Sequence, residues 1–340
     1  MKPAMAHPAL KPLIARLDAR HPLTLVDVGA MGGIARKWDV LGEAIKILAF
    51  EADEREYRKL TSTPGVRYLN YLLHGQSENL TFFISRAPGK SSVYPPNMLF
   101  LDQFPFSDRF TVIDQVRFLA HKVRSFDALV QEGVIDDLDF IKLDTEGSEL
   151  SILQGAQKHM LPGIFGVQLE VEFIEKCLGQ PLFRHVDEWM AKNGFQLMDL
   201  RRQYWKRKDF GDYVGKGQLV FGDVLYVKSV EAFAASIALM DPGRAKAKVQ
   251  KAILICLVYR LCDYAVVLSQ WAREHRHFSA EDHDQALAVI RDYARCGVLP
   301  QFPGRDLLYK VFAKLAEYLR PLSYKNFSDG DRAIANIRDI

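Results

Sequence analysis

Two short runs of this sequence carry residue types in arrangements that can do chemistry. The first is Asp27-Val28-Gly29-Ala30-Met31-Gly32-Gly33. Glycines at such a turn let the backbone approach a ligand closely and adopt positive φ. An acid ahead of the first glycine suits a positively charged group. The next apolar run, Ile45 to Phe50, ends in Glu51, 22 positions after Gly29. A carboxylate there can accept both hydroxyls of a ribose. Asp27, Gly29, Ala30, Gly32 and Glu51 are therefore expected to contact a nucleoside. The glycine spacing helps to choose which one. A dinucleotide fingerprint needs GxGxxG, whereas Gly29 is followed by Ala30-Met31-Gly32. With Asp27, this favours S-adenosylmethionine, whose methionine end carries positive charge, over a nicotinamide dinucleotide.

The second run is Asp139-Phe140-Ile141-Lys142-Leu143-Asp144-Thr145-Glu146-Gly147-Ser148-Glu149. In a strand, Lys142, Asp144 and Glu146 share a face by period two. Gln168, Glu170 and Glu172 repeat the arrangement in the following apolar run, Gly166 to Phe173. Four acids, Asp144, Glu146, Glu170 and Glu172, are thus expected at two neighbouring strand ends. Methyl transfer to an alcohol requires removal of the hydroxyl proton, which a positioned carboxylate can perform. Several carboxylates can equally hold a divalent metal that acidifies the hydroxyl, so metal dependence stays open. Lys90, Ser91 and Ser92, in a Pro- and Gly-rich stretch from Arg86 to Pro105, are candidates for a lid. His74 and His121 are weaker candidates for a base.

These residues need strand ends to hold them. Continuous apolar runs at Leu23–Val28, Ile45–Phe50, Val66–Asn70, Asp139–Leu143 and Gly166–Phe173 alternate with helical patterns, which predicts an open, mostly parallel α/β sheet. Phe195–Leu200 and Val220–Val227 form a sequential pair suited to an antiparallel edge. Ser148 is placed to cap the helix that follows the acidic run. After Lys228 the pattern becomes helical throughout, so we divide the chain into an α/β domain over 1–229 and a helical region over 230–340. Ala252–Leu268, apolar on nearly all sides, is either the core of that region or a homodimer contact. Its cationic flank, Arg244, Lys246, Lys248 and Lys251, offers an anionic membrane contact as a minor reading. Arg201 to Lys208 is a basic run containing Tyr204 and Trp205, read as a solvated hairpin or as a grip for an acidic sugar.

The chain has 340 residues and a net charge of +3, too small to argue for nucleic acid as a partner. Four cysteines without a CxxC pair give neither a disulfide framework nor a zinc site. Neither a signal peptide nor a membrane span is visible, and a cytoplasmic location is expected.

The chain resembles the FkbM family of S-adenosylmethionine-dependent methyltransferases. The matching stretches are LVDVGAMGG, ILAFEADEREYRKL, GKSSVYPPN, VRSFDALV, DFIKLDTEGSELSILQGA, VQLEVEF, GFQLMDLR and GQLVFGDVLYVK, over Leu23 to Lys228. The resemblance implies a Rossmann-like class I methyltransferase fold and transfer of a methyl group to a hydroxyl of a sugar, polysaccharide, glycolipid or polyketide-type metabolite. It implies cofactor contacts for Asp27, Gly29 and Glu51, places Asp144 and Glu146 at the cofactor end and substrate side, and sets Asn70 near the adenine. The competing readings are a nicotinamide-dependent or sugar-nucleotide Rossmann enzyme, and a non-catalytic adaptor that works through its helical region.

Overall fold

A computed structural model describes residues 6–18, 21–158, 161–209 and 217–319. In chain order the strands are β1 (Leu23–Val28), β2 (Ile45–Phe50), β3 (Val66–Leu69), β4 (Leu72–Leu73), β5 (Leu80–Ser85), β6 (Val112–Phe118), β7 (Val123–Arg124), β8 (Phe140–Leu143), β9 (Gly166–Glu172), β10 (Phe195–Trp205) and β11 (Gln218–Lys228). The α-helices are α1 (Lys11–Ile14), α2 (Glu54–Tyr57), α3 (Met98–Leu101), α4 (Phe126–Gln131), α5 (Glu149–Gln154), α6 (Phe183–Lys192), α7 (Val230–Ile237), α8 (Pro242–Val258), α9 (Cys262–Glu274), α10 (Ala280–Arg295) and α11 (Arg305–Tyr318).

Seven strands form one sheet in the order β10-β11-β9-β8-β1-β2-β3. β9, β8, β1, β2 and β3 run parallel. β11 is antiparallel to both of its neighbours, so the reversed strand lies one in from the edge and β10 forms the edge itself. This is the mostly parallel Rossmann-like sheet expected. The chain leaves β1 toward β2 on one side and reaches β8 on the other, so the carboxyl ends of β1 and β8 flank the switch point where open α/β sheets bind ligands.

Alternation along β1 splits the core. Val26 and Val28 face a cluster with Ile141, Leu143, Val167 and Leu169, covered by Phe126 and Leu129 of α4, Ile152 and Leu153 of α5, and Val186 and Met190 of α6. Leu23 and Leu25 face the other way, into a cluster with Ile47, Phe140 and Leu225 that is completed by α8, α9 and α10. The C-terminal helices are therefore the second covering layer of the sheet. Ile253, Leu254, Ile255, Leu257 and Val258 of α8 are essentially fully buried and together contribute on the order of 10 kcal/mol of transfer free energy. Ala252–Tyr259 thus lies in the core, while Val266 and Val267 farther along the stretch are exposed. The membrane reading of its cationic flank fails, because Lys248 and Lys251 are buried and ion-paired to Asp137 and Asp139 beside β8.

Several local expectations change. The helical pattern after Lys228 is interrupted at Arg260, which has φ +57°, between α8 and α9. The segment from Val123 begins as β7 and continues as α4. The segment after Gly33 forms tight 3-10 turns over Arg36–Ala44 with a kink at Gly42 (φ +57°). Ser148 makes no side-chain cap to α5. Glu149 satisfies that turn instead, accepting from Thr145 N at 2.7 Å and from Gly147 N at 2.9 Å. Trp205 is buried among Phe100, Phe104, Phe106 and Phe110, so its ring is not available to stack on a sugar. No helix among the described residues is long and apolar enough to cross a membrane.

Candidate active site

A cavity of about 350 Å³ opens at the carboxyl ends of β1, β2 and β8. Gly29, Met31, Glu51, Asp53 and Asp144 form one part of its wall, and Tyr71, Leu72, Leu73 and Phe82 a more apolar part. Lys90, Ser91, Glu146 and Glu170 also line it.

The glycine turn is set by packing on the sheet. Gly29 N and Ala30 N both donate to Phe50 O, at 2.9 and 3.1 Å. Gly29 has φ +77°, and a Cβ there would run into the Asp144 carbonyl oxygen. No side chain fits where the end of β8 crosses the turn. Gly32 also has positive φ, but in open space. Ala30 is buried and, like Gly32, lies off the cavity wall.

Glu51 is buried on that wall. Its Oε1 accepts from Asp53 N at 2.9 Å, and burial raises its pKa to about 7. A carboxyl group held there with few donors fits a ligand that brings hydroxyls. Asn70 lies behind it and donates to Glu51 O at 2.9 Å, so Asn70 positions the Glu51 backbone and does not line the cavity. Asp27 is also behind the wall. Lys142 Nζ lies 3.2 Å from its Oδ1, but that oxygen, though buried, accepts no well-formed hydrogen bond from the described residues. Burial raises the Asp27 pKa against the pull of Lys142. Asp144, at the junction of wall and sheet face, has a 45% exposed side chain, 3.5 Å from Lys142 Nζ. Volume, the donor-poor Glu51 carboxyl and the mixed polar and apolar lining suit S-adenosylmethionine. Glu51, Asp53, Gly29 and Asp144 are the residues that would hold it.

The remaining acids meet a cation that the sequence reading missed. Lys176, fully buried, lies 3.2 Å from Glu146, 2.9 Å from Glu170 and 3.1 Å from Glu172. Lys90 pairs with Glu146 as well. Burial pushes the Glu146 carboxyl up, but the two ammonium groups outweigh it and hold it below its ordinary range. Burial raises Glu170 well above its ordinary value despite Lys176. Oxygens of Asp144, Glu146 and Glu170 come within 4.8 Å of one another. Glu146 and Glu170 share the Lys176 ammonium, Lys90 pairs with Glu146, and Asp144 lies against Lys142, so each of the three acids already faces a cation. The clue in the sequence was arithmetic: three buried acids need a counter-charge, and Lys176 follows Glu172 by four residues.

The lid candidates fold over this cluster. Ser91 Oγ lies 3.3 Å from Asp53 Oδ2, and Ser92 Oγ donates to Glu146 O at 2.8 Å. Gly89 lies against Met31 of the glycine turn, where a Cβ would sit 2.7 Å from Met31 Cε. Glu146 itself has φ +54°, a conformation that costs energy for any residue with a Cβ and persists where its surroundings fix it. His74 is outside the cavity, 3.0 Å from Ser151 Oγ, and His121 sits on an exposed turn.

The family described as "Methyltransferase FkbM domain" matches residues 27–197. No curated protein matches the chain. Similar solved structures include TrmK of M. capricolum in complex with S-adenosyl-homocysteine (8% identity, 85% of this chain and 98% of that one, TM-score 0.26). The 23S rRNA methyltransferase ErmE gives 9%, 85%, 98% and 0.30. The precorrin-6y C5,15-methyltransferase of Geobacter metallireducens GS-15 gives 14%, 67%, 93% and 0.25. Likeness this slight carries no argument about substrate.

Proposed function

Because this chain belongs to the FkbM family of S-adenosylmethionine-dependent methyltransferases, we propose that it transfers a methyl group to a hydroxyl of a sugar, polysaccharide, glycolipid or related metabolite. The observation that carries the reading is the position of Asp144. It lines the cofactor cavity and also begins a row of polar side chains on the sheet face beyond it. S-adenosylmethionine, when bound, supplies an electrophilic methyl on a sulfonium. The chain's residues then bind and orient. Glu51 accepts ribose hydroxyls, Asp144 faces the acceptor and the 88–92 segment closes the cavity. Glu146, Glu170 and Glu172, held by Lys176 and Lys90, form the buried floor. Bringing the reactants together in such a site supplies much of the rate.

The family leaves no place for the nicotinamide reading. Within this proposal the protein acts in the cytoplasm and pairs with a second copy through C-terminal helices, where α11 exposes Leu307, Tyr309 and Phe312. Mass spectrometry of glycans and glycolipids from cells with and without the gene tests the activity. Loss of one methyl increment from a sugar-containing species is expected. Identical spectra, with the methyl missing from a protein or nucleic acid instead, would overturn it.

A further inference from the structure

The sheet face covered by α8 ends in a polar row that the site described above uses only at Asp144. Strand register sets the row. Asp27 pairs with Lys142, Lys142 with Gln168, Glu170 with Asp223 and Asp223 with Arg201. Paired residues point to the same side of a sheet. Lys37, from the 3-10 segment before β2, reaches into this row. Its Nζ donates to Gln168 Oε1 and lies 4.2 Å from the centroid of the Tyr259 ring. Tyr259 Oη donates to the same Gln168 oxygen at 2.7 Å. Tyr259 is fully buried directly after α8, so the C-terminal layer builds one wall of the row.

We infer that Lys37 is the base that takes the acceptor's proton, and that the row from Asp144 to Arg201 is the acceptor subsite for a neutral polyol. The inference rests on the hydroxyl-methylation reading. Three observations support it. The acids nearest the cavity are engaged elsewhere: Glu146, Glu170 and Glu172 share Lys176, and Asp144 faces Lys142. Lys37 has no carboxylate in ion-pair range among the described residues; its contacts are an amide oxygen and a ring face. Burial lowers its pKa to about 7, opposed by Asp223 and Asp27 and reinforced by Lys142 and Arg201. Gln168 anchors one N–H of this amine, and in its neutral form the nitrogen offers a lone pair to a proton. Tyr259, the aromatic neighbour, favours the ammonium that forms.

The step balances. The acceptor O–H bond breaks toward Lys37 Nζ, an O–C bond forms to the donated methyl, and the methyl–sulfur bond breaks with its electron pair on sulfur. The Lys37 ammonium then returns its proton to water. With Lys37 neutral, Lys142 and Arg201 stand against Asp27, Asp144 and Asp223, so the row is not cationic and fits a neutral polyol better than a polyanion.

Two measurements decide the matter. Competitive acetylation with acetic anhydride across pH, read by peptide mass spectrometry on the full chain, reports the protonation midpoint of Lys37. A midpoint near 7 is expected, and one near the ordinary lysine value of 10.5 overturns the assignment. Tritiated-methyl transfer from S-adenosylmethionine to a glycan and glycolipid extract of cells lacking the gene gives the rate. Lys37→Met and Lys37→Arg should each lose about 100-fold or more, along with the wild-type rise in rate through neutral pH. Calorimetric affinity for S-adenosylhomocysteine should be unchanged. A Lys37→Arg variant with wild-type rate and pH profile overturns the inference and leaves the proposed function standing. No transfer by the wild type overturns the proposed function, and the acetylation midpoint still judges Lys37.

Discussion

Glu51 offers the sharpest quantitative test of the cofactor site. Its carboxyl lines the cavity, accepts one bond from Asp53 N, and burial raises its pKa to about 7. A ribose would bring hydroxyl donors to the carboxylate. Hydrogen bonds to a charged group are each worth about 1.5–3 kcal/mol, so two give about 3 kcal/mol, or roughly 150-fold in Kd. By linkage the same energy lowers the Glu51 pKa in the complex by about 2 units. Wild-type affinity for S-adenosylhomocysteine should therefore be flat above pH 8 and fall as pH drops through 7. At pH 6 it should be roughly tenfold weaker than the plateau. In the free protein the sign is opposite. A carboxyl whose folded pKa is raised stabilises the fold at low pH, and that stability is lost as pH rises toward 7. Glu51→Gln keeps the shape and the bond from Asp53 N but removes the charge. Its affinity should be roughly 100-fold weaker at pH 8 and independent of pH. Isothermal calorimetry at pH 6, 7 and 8 reads both effects. A variant within threefold of wild type at pH 8, or a wild type with flat affinity from pH 6 to 8, would refute the placement of Glu51.

Lys176→Met should destabilise the protein by about 3–5 kcal/mol, because it removes the buried cation of Glu170 and Glu172 and leaves Glu146 with Lys90 alone. Urea unfolding should show the deficit shrinking as pH falls and the acids take up protons, and a pH-independent deficit would contradict the ion cluster. Gly29→Ala should cost more stability than Gly32→Ala in a thermal melt. Both have φ +77°, but only the Gly29 Cβ meets backbone; equal losses would show that the turn is not set by the end of β8.

The sheet was legible because its strands are continuous apolar runs that end in acids. β1, β2 and β9 agree with the sequence reading to within a residue. The cavity wall was legible in Gly29, Glu51 and Asp144 because a ligand turn needs glycine and a ribose needs an acid. What the sequence concealed is long-range. Lys176 lies in a loop whose local pattern says nothing about folding back under Glu146 and Glu170. Asp27 and Asn70 were read as contacts from their type and position, yet each stands one layer behind the wall. Whether a residue faces a ligand or supports one that does is decided by neighbours distant in the chain. Lys37 and Tyr259, 222 positions apart, meet only because α8 lies along the sheet. Read as a separate helical region, the C-terminal third concealed its part in covering that face.

The central claim is transfer of a methyl from S-adenosylmethionine to a hydroxyl oxygen of a sugar-containing acceptor. The most direct measurement uses S-adenosylmethionine carrying carbon-13 in its methyl group, incubated with the protein and the extract from cells lacking the gene. Proton–carbon correlation spectra of the fractionated products then report the labelled methyl. A labelled methyl bonded to oxygen on a sugar ring, absent without protein, is expected. Label bonded to nitrogen or carbon, or no transfer by protein that binds S-adenosylhomocysteine, would contradict it.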